Sequence, residues 1–88
     1  MVYVYLLRSK KTGELYVGST RNLKERFYQH NNGRGHSTRH GIPWEVIYYE
    51  AYGAESDAHK RESQLKRHAQ AMTHLKRRLH HTLQKKSK

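Results

Sequence analysis

Residues 2–18 read Val2-Tyr3-Val4-Tyr5-Leu6-Leu7-Arg8-Ser9-Lys10-Lys11-Thr12-Gly13-Glu14-Leu15-Tyr16-Val17-Gly18, and this stretch decides the fold. Val2 to Arg8 is rich in β-branched and aromatic residues, which suit a pleated, half-buried surface, and predicts a strand. Lys10-Lys11-Thr12-Gly13 has the chemistry of a turn, and Glu14 to Gly18 predicts a returning strand. A turn over residues 10–13 pairs Ser9 with Glu14, Leu7 with Tyr16 and Tyr5 with Gly18. In that register Tyr5 and Tyr16 stand diagonally on one face, and Gly18 leaves a gap opposite Tyr5. Two phenols beside a gap can hold a water or a phosphate. Tyrosines also fill strands simply because they pack well there, so both readings stand on this pattern alone.

Beyond the hairpin the period changes. Asn22 to Asn31 is helical by pattern, with Asn22 as N-cap and Leu23 and Phe27 as an i, i+4 apolar pair. Asn31 to Pro43 holds Gly33, Gly35 and Gly41 among polar residues and predicts a loop. Trp44 to Tyr52 predicts a third strand, ended by Gly53. From Ser56 to about Gln84 the pattern is helical again. Ala58, Leu65, Ala69 and Met72 share one face, and Leu75, Leu79 and Leu83 form a later stripe. Periodicity fits either one bent helix or two. The order ββαβα(α) predicts an α+β domain over residues 1–84, a three-stranded sheet flanked by helices, with a frayed polar tail over 85–88.

Eighty-eight residues make one compact domain with a modest core. The absence of cysteine excludes disulfides and thiolate zinc sites. No apolar run approaches the roughly 20 residues of a membrane span, and the N-terminus lacks the order of a signal peptide. The expectation is a soluble, cytoplasmic protein. Eighteen Lys and Arg against seven Asp and Glu leave a net charge of +11, which favours polyanions, nucleic acid ahead of anionic membrane surfaces. A small ribosome-associated or merely basic soluble protein would carry such a charge too, because charge names a partner class and no chemistry.

Three further features could carry chemistry. Arg26 and His30 are i, i+4 neighbours beside the buried stripe of the first helix, where an arginine is placed to grip an oxyanion or to snorkel past its apolar neighbours. Glu62 falls in the middle of the apolar face of Ala58, Leu65, Ala69 and Met72, while Lys60, Arg61, Lys66 and Arg67 are expected to point elsewhere. An inward carboxylate costs several kcal/mol unless it is paired or binds a metal. An ion pair with Arg26 is slightly favoured by helical position, and a hard cation such as Mg²⁺ is the alternative. The glycine-rich loop reads as a mobile clamp over a nucleic-acid backbone or as a plain connector. Arg34 and Arg39 within it, with Lys66, are the candidate phosphate contacts. It is no P-loop, because no Gly-Lys-Ser/Thr opens a helix. His36 with His40, or His80 with His81, make poor zinc ligands without cysteine.

Together these positions resemble the GIY-YIG nuclease family, in its short free-standing bacterial branch. The tripeptides appear as Tyr3-Val4-Tyr5 and Tyr16-Val17-Gly18, with Tyr5 and Tyr16 eleven positions apart. Arg26, with His30 one turn on, matches the arginine-bearing helix of that family, and Glu62 of Lys60-Arg61-Glu62 matches its metal-binding glutamate. The likeness extends over roughly residues 2–80, including His30-Asn31, Gly33, Gly35 and Pro43-Trp44-Glu45. It implies a three-stranded antiparallel sheet between helices, with a real helix break after Leu65. It further implies a shallow site of Tyr5, Tyr16, Arg26, His30 and Glu62. In that site Glu62 holds one Mg²⁺ or Mn²⁺, Tyr16 activates water with help from Tyr5 or His30, and Arg26 neutralises phosphoryl charge. Tyr3 stands where the family often has glycine. No DNA-binding module is appended, so the implied endonuclease cuts DNA with low sequence preference or relies on a targeting protein. A nucleic-acid-binding module with an idle site is the alternative. A structural partner protein, docking through the basic Leu75-Leu79-Leu83 helix, is a third reading.

Overall fold

A computed structural model describes residues 1–85. The elements follow in the order β1 (Val2–Ser9), β2 (Leu15–Thr20), α1 (Leu23–Asn31), a 3₁₀ turn (His36–Gly41), β3 (Trp44–Tyr52), α2 (Glu55–Arg67), α3 (Ala69–Arg78) and α4 (His80–Gln84). The sheet is antiparallel in the order β2-β1-β3. Its register is the one the turn predicts: Tyr5 lies opposite Gly18 and Leu7 opposite Tyr16. The Ser9 amide closes the turn by donating to the Glu14 carbonyl at 2.9 Å.

As the central strand, β1 is covered on both faces. Val2, Val4 and Leu6 pack with Val17, Ala58, Leu65, Leu75 and Leu79 under α2 and α3. Tyr5 and Leu7 point the other way, to Trp44, Tyr16, Leu23 and Phe27, under α1. Between Leu6 and Leu7 the pairing with β3 slips, from Leu6 opposite Tyr48 to Leu7 opposite Val46. The extra residue, Ile47, shares the α2 and α3 side with Tyr48 and Tyr52, while Val46 turns to the α1 side.

Asn22 caps α1 as its type predicts, accepting from the Glu25 amide at 3.1 Å. The C-terminal half holds two departures. The helix breaks at His68, whose extended backbone (φ −111°, ψ 105°) ends α2 and opens α3. This settles the choice left open by periodicity, places the break three residues after Leu65, and leaves Ala69 exposed, off the face it was expected to share. A second break at Leu79 separates the short α4. Leu75 and Leu79 are buried as their stripe predicts, and Leu83 packs beside them. Arg8 ties the last turn down, donating to the carbonyls of Leu83 and Lys85 at 2.9 and 2.8 Å. The expected tail, apart from Lys85, lies outside the described residues.

Glu50 on β3 is a polar anchor on the α2 side. It accepts from the Tyr48 hydroxyl at 2.5 Å, from the Tyr52 hydroxyl, and from the forked Arg61 guanidinium at 2.9–3.2 Å. Burial alone would raise its carboxyl, but these donors outweigh burial and hold it below the ordinary glutamate value. Both ion-pair side chains keep some solvent contact, 22% for Arg61 and 16% for Glu50. Glu50→Ala is therefore expected to destabilise by about 2–4 kcal/mol, less than a fully enclosed pair, because it strands a guanidinium and two hydroxyls. Urea unfolding measures it, and a loss below about 1 kcal/mol would mean the cluster is already solvated.

Candidate active site

The α1 side of the hairpin carries the phenols. Tyr5 reaches over Gly18, where any Cβ would run into its ring and hydroxyl, so glycine is required there for Tyr5 to lie down. The Tyr5 oxygen sits 2.8 Å from Nε2 of His30 on α1. Tyr16 closes the cluster, its ring 6.5 Å from that of Tyr5 and 5.1 Å from the His30 imidazole, centroid to centroid. Burial, with Tyr16 beside it, pushes the Tyr5 hydroxyl up to about 12, outweighing the charge and hydrogen bond of the neighbouring Arg26 guanidinium. Arg26 is half-buried and steadied by Gln29, to whose side-chain oxygen it donates at 2.9 Å.

His30 is fully enclosed, at 0% exposure. Burial and the charge of Arg26 lower it from the ordinary 6.5 to about 4, so the ring is neutral at pH 7. Between those two values the unfolded chain binds a proton that the folded chain refuses, so stability rises with pH there. The domain is expected to lose stability as pH falls from 7 to 5, and His30→Gln should flatten that slope in thermal melts. Glu50 and Glu62 are depressed below their ordinary 4.5 and act only under this window. An unchanged slope in the variant would assign the effect elsewhere.

Glu62 approaches the same cleft from α2. Its carboxylate accepts from Ser19 Oγ on β2 at 2.5 Å and from Lys66 Nζ at 2.7 Å. The ion pair with Arg26 that helical position favoured is not formed, because α2 lies against β2 and Ser19 is the nearer donor. Nor does Lys66 point away: one turn on, it folds back to Glu62, with its ammonium 5.8 Å from the centre of the Tyr16 ring. Burial would raise the Glu62 carboxyl, but the hydrogen bonds from Lys66 and Ser19 prevail and keep it below the ordinary value. With 21% of its side chain exposed, the carboxylate is ionised, held and reachable.

The glycine-rich segment is built in, contrary to the mobile clamp. Gly35, Thr38 and Gly41 are buried. The Trp44 indole N–H donates to the Thr38 carbonyl at 2.7 Å, and Ser9 Oγ donates to the Gly41 carbonyl at 2.6 Å. Both of its arginines are exposed, and Arg39 also straps the turn by donating to the Gly33 carbonyl at 2.7 Å. His40 lies 2.9 Å from a Glu14 oxygen.

Among the described residues no three His, Cys, Asp or Glu side chains gather into a cage for a metal. One carboxylate with an adjacent hydroxyl is instead the sparse donor set of Mg²⁺, which keeps its waters and takes oxygens from substrate phosphate. The residues present fit such an ion and do not fit zinc. Ser19 and Thr38, which hold Glu62 and His30, were not expected from the sequence. Their only signal there is a hydroxyl in a strand and another after glycines.

The profile of the GIY-YIG catalytic domain matches residues 1–79. The chain belongs to the GIY-YIG family. Relatives of this GIY-YIG chain include a UPF0213 protein of Staphylococcus saprophyticus, 35% identical over 65 residues that span 73% of this chain and 78% of the relative. A UPF0213 protein of Clostridium perfringens is 40% identical over 68 residues, 76% and 72% of the two chains. Another, from Photorhabdus laumondii, is 39% identical over 64 residues, 72% and 61%. No solved structure matches the chain. No helix among the described residues of this GIY-YIG domain is long and apolar enough to cross a membrane.

Proposed function

We propose that this GIY-YIG domain is a cytoplasmic, divalent-metal-dependent endonuclease that hydrolyses phosphodiester bonds in DNA with low sequence specificity. The observation that carries the proposal is the Glu62 carboxylate, ionised and partly exposed, held by Lys66, whose ammonium lies 5.8 Å from the Tyr16 ring, and close enough for its charge to act on Tyr5. Mg²⁺ or Mn²⁺ held by Glu62 would supply charge neutralisation at the scissile phosphate and its leaving oxygen. Tyr16, the more exposed phenol, holds the attacking water. The water gives a proton to Tyr5 as Tyr5 passes its own to Nε2 of His30, and the resulting hydroxide forms the new P–O bond while the bond to the leaving oxygen breaks. Burial keeps Tyr5 protonated, so Tyr5 accepts from water only while it hands its own proton to Nε2 of His30; burial and Arg26 disfavour the imidazolium as well, so the proton returns along the same path to the leaving oxygen. Arg26 neutralises charge growing on the phosphoryl oxygens. All these groups address phosphate, the part of nucleic acid that carries no sequence. Lys66 and the exposed Arg34 extend the basic surface, and a targeting protein would supply any choice of site.

Purified protein with Mg²⁺ or Mn²⁺ tests this on plasmid, branched and single-stranded DNA. Cleavage that stops on chelation is expected. Intact DNA at high enzyme excess overturns the proposal, and tight binding without cutting would leave a binding module with an idle site.

A further inference from the structure

We propose that Thr38 is a positioning residue that fixes His30 in the tautomer protonated at Nδ1, so that Tyr5 donates to Nε2 and its oxygen is left to accept. The assignment of a catalytic consequence rests on the hydrolytic function proposed above; the tautomer itself does not.

Thr38 Oγ lies 2.8 Å from His30 Nδ1 and 3.1 Å from the Gly35 carbonyl oxygen. A carbonyl oxygen only accepts, and we place the single hydroxyl hydrogen of Thr38 on Gly35, against the competing arrangement in which it donates to Nδ1. Toward Nδ1 the hydroxyl must then accept, which requires a hydrogen on Nδ1. The ring is neutral, so Nε2 carries a lone pair, and the Tyr5 O–H is the donor in the 2.8 Å contact. The chain of donors runs Tyr5 to His30 to Thr38 to Gly35, ending on backbone. Its direction leaves the lone pairs of the Tyr5 oxygen as the acceptor for a proton from water.

Nothing around Thr38 allows it to turn. It is 0% exposed, its amide donates to the Gly35 carbonyl at 3.1 Å, and its own carbonyl is held by Trp44 Nε1. A Cβ on Gly35 would press on both Thr38 Oγ and His30 Nδ1, so glycine is what lets the three groups meet. Without the hydroxyl, Nδ1–H would be a buried donor with no partner. The cheaper arrangement is the other tautomer, in which Nε2–H donates to the Tyr5 oxygen and the phenol turns its hydrogen outward. The acceptor of the proposed reaction would then be blocked while every atom stayed in place.

The test is the His30 tautomer in the full chain, read by long-range proton–nitrogen NMR, with the His30 signals assigned by their loss in His30→Gln. Wild type and Thr38→Ser are expected to be protonated at Nδ1, and Thr38→Val at Nε2. Cleavage assays should show kcat lowered on the order of 10- to 10²-fold in Thr38→Val, with KM unchanged and Thr38→Ser near wild type. A wild-type ring protonated at Nε2, or a Thr38→Val ring unchanged from wild type, overturns the proposal. The wild-type spectrum decides even if Thr38→Val fails to fold. If no variant cuts DNA but the tautomers behave as stated, the positioning role stands and the hydrolytic function falls.

Discussion

Glu62→Ala is expected to lower the rate of DNA cleavage by about 10²-fold or more while leaving the fold intact. The size follows from what is removed under the proposed function: the carboxylate that would hold the metal and, with it, the neutralisation of the transition state. Fold survival follows from what Glu62 touches. Its partners are Ser19 and the exposed Lys66, both able to turn to water, and an ion pair with that much solvent contact contributes about 0–1 kcal/mol. Thermal melting should therefore move little, and Mn²⁺ binding followed by electron paramagnetic resonance should weaken in step with activity. Glu62→Gln separates charge from shape, since it keeps the Ser19 contact and loses the negative charge. Equal cutting by wild type and Glu62→Ala would end the case for Glu62 as the metal ligand.

Binding to DNA is expected to fall roughly 10³-fold between 50 and 200 mM salt, if about six phosphates are contacted. The net charge of +11 is the reason. Of the eighteen Lys and Arg, four (Arg8, Arg21, Arg61 and Lys66) face carboxylates. Exposed cations such as Lys10, Lys11, Lys24 and Arg34, and the run Lys76-Arg77-Arg78, remain to displace counterions. Fluorescence anisotropy on a catalytically silent Glu62→Ala protein gives the slope of affinity against salt without cleavage. A flat slope would show that these cations do not meet phosphate, and would favour a protein partner instead.

The hairpin, its register and the face shared by Tyr5, Tyr16 and Gly18 were legible from residues 2–18, because a turn of known length and a side-chain period of two determine which residues stand opposite. The Asn22 cap was legible for the same kind of reason: it depends on residue type and near neighbours alone. Glu62 announced itself as a carboxylate on an apolar face, yet its partners did not. Ser19 is 43 residues away, and only the packing of α2 on β2 brings it within 2.5 Å. The break at His68 carries no glycine or proline, so no local signal opposes a continuous helix there. Thr38 looked like part of a mobile loop until the Trp44 and Gly35 contacts enclosed it. Period and turn chemistry are properties of a few consecutive residues, and the chain alone determined them. Which polar group satisfies which, and hence which way a proton can travel, depends on distances near 3 Å between elements far apart in the chain, and only the tertiary structure decided that.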